Sequence, residues 1–386
     1  MGFLIKNSLV NKCKHYKGNS CNIKKMISVT KSYLPSLDEY SRLIYSIWQN
    51  HHLTNRGPLV QRLEKDICEK IKTNNLLFVA NGTIAIQLAI KALEITGEVI
   101  TTPFSYVATT TSILWENCLP VFCDINKNTL CIDANKLEDL ITPQTSAILA
   151  THVYGVPCDV EKIELIAKKY KLKVIYDAAH AFGVTYKNQS LLNYGDVSTC
   201  SFHATKLFHT VEGGSVTTKD SELFEKIKLY HSFGHIGDDY FTQGINGKNS
   251  EFHAAMGLCN LPMLNELIQN RKKTTELYTS LLSSENISRP KIPEETEYNY
   301  AYYPVVFKDE TTLLAVKNKL LANEVNSRRY FYPSLNNLPY LTQSNPCPIS
   351  EDISKRVLCL PLYYGLGSEN ITRICKIILN EIRIEK

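Results

Sequence analysis

The chain has 386 residues, enough to bury a large core, and that length favours one large domain with a smaller one beside it. Its 44% hydrophobic and 21% charged content is ordinary for a globular protein. A net charge of +5 is too modest to call for nucleic acid, and no apolar run reaches the ~18 residues of a membrane span.

Residues 1–25 come first, basic, polar and without periodicity. Seven lysines (Lys6, Lys12, Lys14, Lys17, Lys24, Lys25 and Lys31) precede the first acid, Asp38. Lysine in place of arginine, and the lack of a long apolar core, argue against a targeting peptide. Gly2 follows Met1, but Lys6 stands where a myristoylation signal needs Ser or Thr. The segment reads as a disordered extension, with Met26 as an alternative start. Twelve cysteines form no Cys-x-x-Cys pair, and the spacing of Cys13, His15 and Cys21 fits no zinc pattern. Reduced, mostly buried cysteines are expected, and with them a cytoplasmic protein.

From about 75 to 220 short apolar runs alternate with helical patterns. Strands are expected at 76–80, 99–102, 120–125, 147–152, 173–177, 199–202 and 215–218. Several are continuously apolar, as strands buried on both faces are. Helices are expected at 84–95, 107–116, 134–141 and 159–170. This alternation predicts an α/β fold with a mostly parallel sheet covered by helices. Further helices are expected at 221–233 and 251–267. Beyond about 270 the pattern changes to a strand at 302–307, a helix at 311–321 and a terminal helix at 370–384, the outline of a smaller α+β domain. The domains are therefore 26–265, a large domain with an N-terminal arm, and 266–386. The basic stretch Asn270-Arg271-Lys272-Lys273 reads as the solvated face of a helix between them.

The positions that carry chemistry lie at strand ends. Asp177 closes Val174-Ile175-Tyr176-Asp177, and Lys206 follows 29 residues later in Ser201-Phe202-His203-Ala204-Thr205-Lys206. A lysine able to form a Schiff base and an aspartate able to hold a pyridinium nitrogen are what pyridoxal 5′-phosphate (PLP) chemistry requires. Alone, most lysines are solvated surface charges. Asn81-Gly82-Thr83 opens a helix after a strand, where backbone N–H groups favour phosphate, although a plain capped turn looks the same. An aromatic within Thr102-Pro103-Phe104-Ser105-Tyr106-Val107-Ala108-Thr109 can stack on a flat ring or simply fill the core. His180 follows Asp177 by three residues, and Gly213-Gly214 would let backbone pass close to a ligand.

In this order these stretches, with Leu53-Thr54-Asn55-Arg56-Gly57-Pro58, Tyr154-Gly155, Asp177-Ala178-Ala179-His180-Ala181-Phe182-Gly183 and Asn249-Ser250-Glu251-Phe252-His253, resemble the DegT/DnrJ/EryC1/StrS family of sugar aminotransferases. The resemblance covers roughly residues 27–380. It implies the aspartate-aminotransferase-like fold type I with a seven-stranded sheet, and PLP passing through a pyridoxamine phosphate form. It assigns Lys206 to the Schiff base and to proton transfer, Asp177 to the pyridinium nitrogen, and His180 to the ring hydroxyl. Tyr106 matches the stacking aromatic; Gly82, Thr83 and Ser201 match the phosphate binders. A homodimer with shared active sites is implied, with Asn246 and Lys248 reaching the partner's phosphate from the stretch 244–248. Thr54, Asn55 and Tyr332 match substrate contacts.

L-glutamate, leaving as 2-oxoglutarate, is the implied donor. The stretches 53–58, 97–103 and 106–109 resemble members that aminate C4 of a nucleotide-linked 4-keto-6-deoxyglucose. Their product is 4-amino-4,6-dideoxyglucose (viosamine) for surface glycans such as O-antigen. Perosamine and 3-amino-sugar synthases share most of these motifs. Lys206 argues against the related 3-dehydratases, which carry histidine there. A non-catalytic binding or regulatory relative is disfavoured because every expected catalytic position is filled. The chain departs from the family at Lys248, often Arg or Asn, and at Asn336, where a histidine is frequent.

Overall fold

The computed structural model describes residues 26–283 and 286–384, so the expected extension and its Cys13, His15 and Cys21 lie outside it. Two helices that the sequence reading missed begin the described chain: α1 (Leu37–Asn50) and α2 (Pro58–Ile71). Pro58 sits at the first helical position, where its missing N–H costs nothing. Leu59, Val60, Leu63, Ile67 and Ile71 then fall on one buried face, each worth about 1.5–3 kcal/mol of burial.

All seven expected strands form, within a few residues of their expected bounds. They are β1 (Leu76–Val79), β2 (Glu98–Thr101), β3 (Leu119–Phe122), β4 (Thr145–Thr151), β5 (Lys173–Asp177), β6 (Val197–Ser201) and β7 (Gly214–Thr217). They make one sheet in the order β1-β7-β6-β5-β4-β2-β3, with β7 alone running against its neighbours. The fold is thus the mostly parallel α/β sheet expected. Register aligns the ends that matter: Thr151 lies opposite Asp177, and Asp177 opposite Thr199.

Helices α3 (Gly82–Ala92), α4 (Val107–Trp115), α5 (Val160–Tyr170) and α6 (Ser221–His231) cover the sheet. Ile175 packs into a core shared with α3 and α6, while its neighbours Val174 and Tyr176 join Val160, Ile163 and Ile166 of α5. Burial on both faces explains the continuous apolar runs. The helix expected at 134–141 is instead two 3₁₀ turns, Ala134–Lys136 and Glu138–Leu140. Asp133 caps the first, and Pro143 leaves too little chain for a stable α-helix.

The helix expected at 251–267 is α7 (Glu251–Asn260), stopped near Pro262 and followed by α8 (Leu264–Leu281), which carries Asn270–Lys273. The division expected after residue 265 falls at the start of α8. Leu264 and Leu267 belong to the core of α2 and α7, whereas Tyr278 belongs to a second core. That core holds β8 (Tyr303–Phe307), α9 (Glu310–Ala322), β9 (Val357–Leu360) and α11 (Ser368–Ile384); α10 (Pro348–Arg356) lies just before β9. Ile27 joins it too, pairing with Val325.

Glu251 joins α7 to α2. Fully buried, its two oxygens accept N–H groups of Leu59 and Val60 at 2.8 and 2.9 Å. Gly57 makes room, since a Cβ there would stand 2.7 Å from the Glu251 carboxyl carbon. Glu251→Ala is expected to destabilise the protein by about 2–4 kcal/mol, because two buried donors lose a charged acceptor. Urea unfolding measures this, and a loss below ~1 kcal/mol would show that the bond pair contributes little.

Candidate active site

The carboxyl ends of β5 and β6 meet in a cavity of about 460 Å³, within the roughly 300–1,000 Å³ usual for small-molecule sites. Asp177 lines it as the last residue of β5. One carboxylate oxygen accepts the Thr109 hydroxyl at 2.7 Å and the other accepts the Ala179 N–H at 3.0 Å. Burial pushes its pKa up; these two hydrogen bonds and the nearby Lys206 pull it back. Lys206, half-buried, lines the same cavity. Burial pushes its pKa down, and the Asp177 charge opposes this. Among the described residues its ammonium has no hydrogen-bond or ion-pair partner.

A second wall is built by the start of α3. The Asn81 side chain caps the helix, accepting from Ile84 N at 2.9 Å, and Gly82 and Thr83 turn toward the cavity beside Ser201. A Cβ at Gly82 would stand 2.9 Å from the Cβ of Ser201, so only glycine lets the helix start come this close to β6. The result is a helix N-terminus, a threonine and a serine around one space, which suits a phosphate.

His180 forms part of a third wall. Tyr154 N donates to its Nδ1 at 3.1 Å, so the ring proton sits on Nε2. Burial, with help from Lys206, holds its pKa well below the usual histidine value and keeps the ring neutral. Phe331 stacks on it with centroids 5.6 Å apart, and Tyr302 meets it edge-on at 5.0 Å. The Tyr154 hydroxyl donates to the Tyr330 carbonyl and ties this wall to the 328–333 segment. Tyr106, 53% exposed just before α4, stands in the cavity lining.

A lysine, a buried carboxylate, flat aromatic walls and a helix N-terminus with hydroxyls beside it thus fit PLP as a donor set. Of the residues singled out from sequence, Lys206, Asp177, His180, Gly82, Thr83, Tyr106 and Ser201 all line this one cavity. Thr54, Asn55, Tyr332, Asn246 and Lys248 are not in its lining. Thr54 and Asn55 are exposed ahead of α2, and Tyr332 is covered by Arg329 at 3.5 Å from its ring. The 246–249 stretch is fastened to the sheet edge: Ala80 N donates to Gly247 O at 2.8 Å. Lys248 lies 4.6 Å from the Phe233 ring.

Sequence reasoning missed Tyr302, Arg328, Tyr330 and Phe331, which come from the far end of the chain. It quoted Thr109 within a motif without a task; the 2.7 Å bond to Asp177 supplies one. Arg328 brings a second cation to the lining, and among the described residues it has no carboxylate partner.

Comparison with known proteins agrees with this geometry. Residues 38–379 match the model of the DegT/DnrJ/EryC1/StrS aminotransferase family. A dTDP-4-amino-4,6-dideoxy-D-glucose transaminase of Shigella dysenteriae is 40% identical, over 92% of this chain and 99% of the relative. A GDP-perosamine synthase of Escherichia coli O157:H7 is 30% identical, over 92% and 98%. A crystal structure of DesI in the presence of its TDP-sugar product has a TM-score of 0.88 and 30% identity, with 93% of each chain covered.

Borohydride reduction of the PLP-loaded protein is expected to fix a pyridoxyl group on the peptide carrying Lys206, as read by mass mapping. Lys206→Ala should yield no such adduct, and a label on another lysine would contradict the site.

Proposed function

The chain belongs to the DegT/DnrJ/EryC1/StrS aminotransferase family, and we propose that it moves an amino group from L-glutamate to C4 of dTDP-4-keto-6-deoxyglucose. The product is dTDP-4-amino-4,6-dideoxyglucose, the viosamine donor for a surface glycan. The observation that carries the reaction class is the single cavity shared by Lys206 and Asp177. The choice of sugar and nucleotide rests on 40% identity to the dTDP-sugar transaminase, against 30% to the GDP-perosamine synthase.

When bound, PLP supplies the electron sink that makes the carbon beside the amino group acidic, and it carries that group between the two substrates. Lys206 Nζ takes the α-proton from glutamate and, in the second half, delivers a proton at the sugar C4. Burial, by lowering its pKa, favours the neutral amine this needs. Asp177 keeps the ring nitrogen protonated, and neutral His180 offers its Nε2–H near the ring hydroxyl. Gly82, Thr83 and Ser201 hold the phosphate, and Tyr106 covers the ring face. Arg328, without a carboxylate partner among the described residues, suits the acidic donor.

A second copy of the chain completes this reading. Leu37, Trp48, Tyr240 and Phe241 are each more than 60% exposed, apolar side chains that a homodimer would cover. Thr54, Asn55, Asn246 and Lys248, outside their own cavity, would then serve the partner's, while Tyr332 would serve the sugar at the rim. Buried reduced cysteines agree with a cytoplasmic location, where nucleotide sugars are made.

Incubation with PLP, L-glutamate and dTDP-4-keto-6-deoxyglucose is expected to give a product aminated at C4, identified by mass and NMR. Turnover of the GDP-linked ketone alone, or an amine at C3, would overturn the sugar assignment. Asp177→Asn is expected to slow the glutamate half-reaction by at least ~100-fold, as loss of a preorganised charge does. An unchanged rate would remove Asp177 from the ring nitrogen.

A further inference from the structure

Next to Asp177 lies a row of three hydroxyls, of which Ser105 and Thr151 have no role above. Thr109, on α4, gives its proton to Asp177 Oδ2 at 2.7 Å. Ser105, four residues earlier and just before α4, lies 2.8 Å from the Thr109 oxygen. Thr151, the last residue of β4, donates to Ser105 at 3.1 Å. The three are 0–1% exposed.

A hydroxyl has one proton to give. Since Thr109 spends its own on Asp177, Ser105 must donate to Thr109, and Thr151 to Ser105. The row therefore runs one way and ends on an acceptor. A proton on Asp177 Oδ2 would reverse every bond. Thr151 would then have to turn its proton away from Ser105, and among the described residues no other acceptor is recorded for that hydroxyl. Opposite Thr109, the Ala179 N–H also donates to the carboxylate. Every fixed partner is thus a donor.

We propose that Thr151, Ser105 and Thr109 form a one-way hydroxyl chain, with Thr109 as the contact, that positions Asp177 and holds it as an ionised acceptor for the cofactor's ring nitrogen. The inference rests on Asp177 having that partner. Ser105 lies in the bend just before α4 and Thr109 in the first turn of α4, so both can stand in line with the end of β5. Thr151 reaches the row because the β4–β5 register sets it opposite Asp177.

The test is a double-mutant cycle read by PLP affinity of the apoprotein, using fluorescence quenching, with circular dichroism confirming the fold. Thr109→Val removes the hydroxyl at nearly constant shape. It is expected to weaken PLP about 10-fold or more, the size of one hydrogen bond to a charged group, with Thr109→Ser restoring the affinity. In an Asp177→Asn background the same Thr109→Val change should shift affinity by less than about twofold. An equal loss in both backgrounds, or no loss in the first, would overturn the chain as a device acting through Asp177. If Asp177→Asn alone left PLP affinity unchanged, the ring-nitrogen assignment would fall instead. Should Thr109→Val not fold, Ser105→Ala decides: a weakening in the Asp177 background that vanishes in the Asp177→Asn background supports the chain, and equal behaviour in the two refutes it.

Discussion

An ionised carboxylate at the inner end of a sheet strand costs several kcal/mol unless its oxygens are met by donors. Asp177 is in that position, and much of the surrounding structure supplies what it lacks. The Thr109 hydroxyl and the Ala179 N–H each take one oxygen, and Lys206 provides the nearby positive charge. Lys206 in turn is kept from being an ordinary ammonium by the same burial that strains Asp177. Lys206 moves the carboxylate toward charge, while burial moves the amine toward neutrality against the pull of Asp177.

The scaffold makes this pairing rigid. Parallel strands put their carboxyl ends on one edge, and register sets Thr151, Asp177 and Thr199 in a row. Helix α3 must begin beside β6 for a phosphate to meet its N–H groups, and that approach depends on Gly82 lacking a side chain. The stacked His180 and Phe331 add a flat, neutral wall to the cavity. The second core contributes through the chain rather than through the sheet, since residues 328–331 leave it to line the cavity.

Much of this was legible in the sequence because local rules and tertiary structure agree. The run Lys173–Asp177 forms a strand over its expected bounds because its apolar residues have a core on each face and its one carboxylate falls at the end. Lys206, Asp177, His180 and the Asn81–Thr83 turn converge because each follows a strand of the same sheet. What the sequence hid was long-range. Nothing near Phe331 or Arg328 signals that a segment some 120 residues after Lys206 returns to the cavity. The 134–141 segment carried helical spacing, but Asp133 and Pro143 bound it too tightly. Glu251 carries no role in its motif as read from sequence, yet it is a buried cap for a helix nearly 200 residues earlier.

Whether the Lys206–Asp177 cavity transfers amino groups is tested most directly by the visible absorbance of the PLP-loaded protein during addition of L-glutamate with no sugar present. The band of the lysine-bound cofactor should fade in proportion to glutamate and return when a keto sugar is added. A band that ignores glutamate while the protein stays folded and loaded with PLP would contradict a role in amino transfer from that donor.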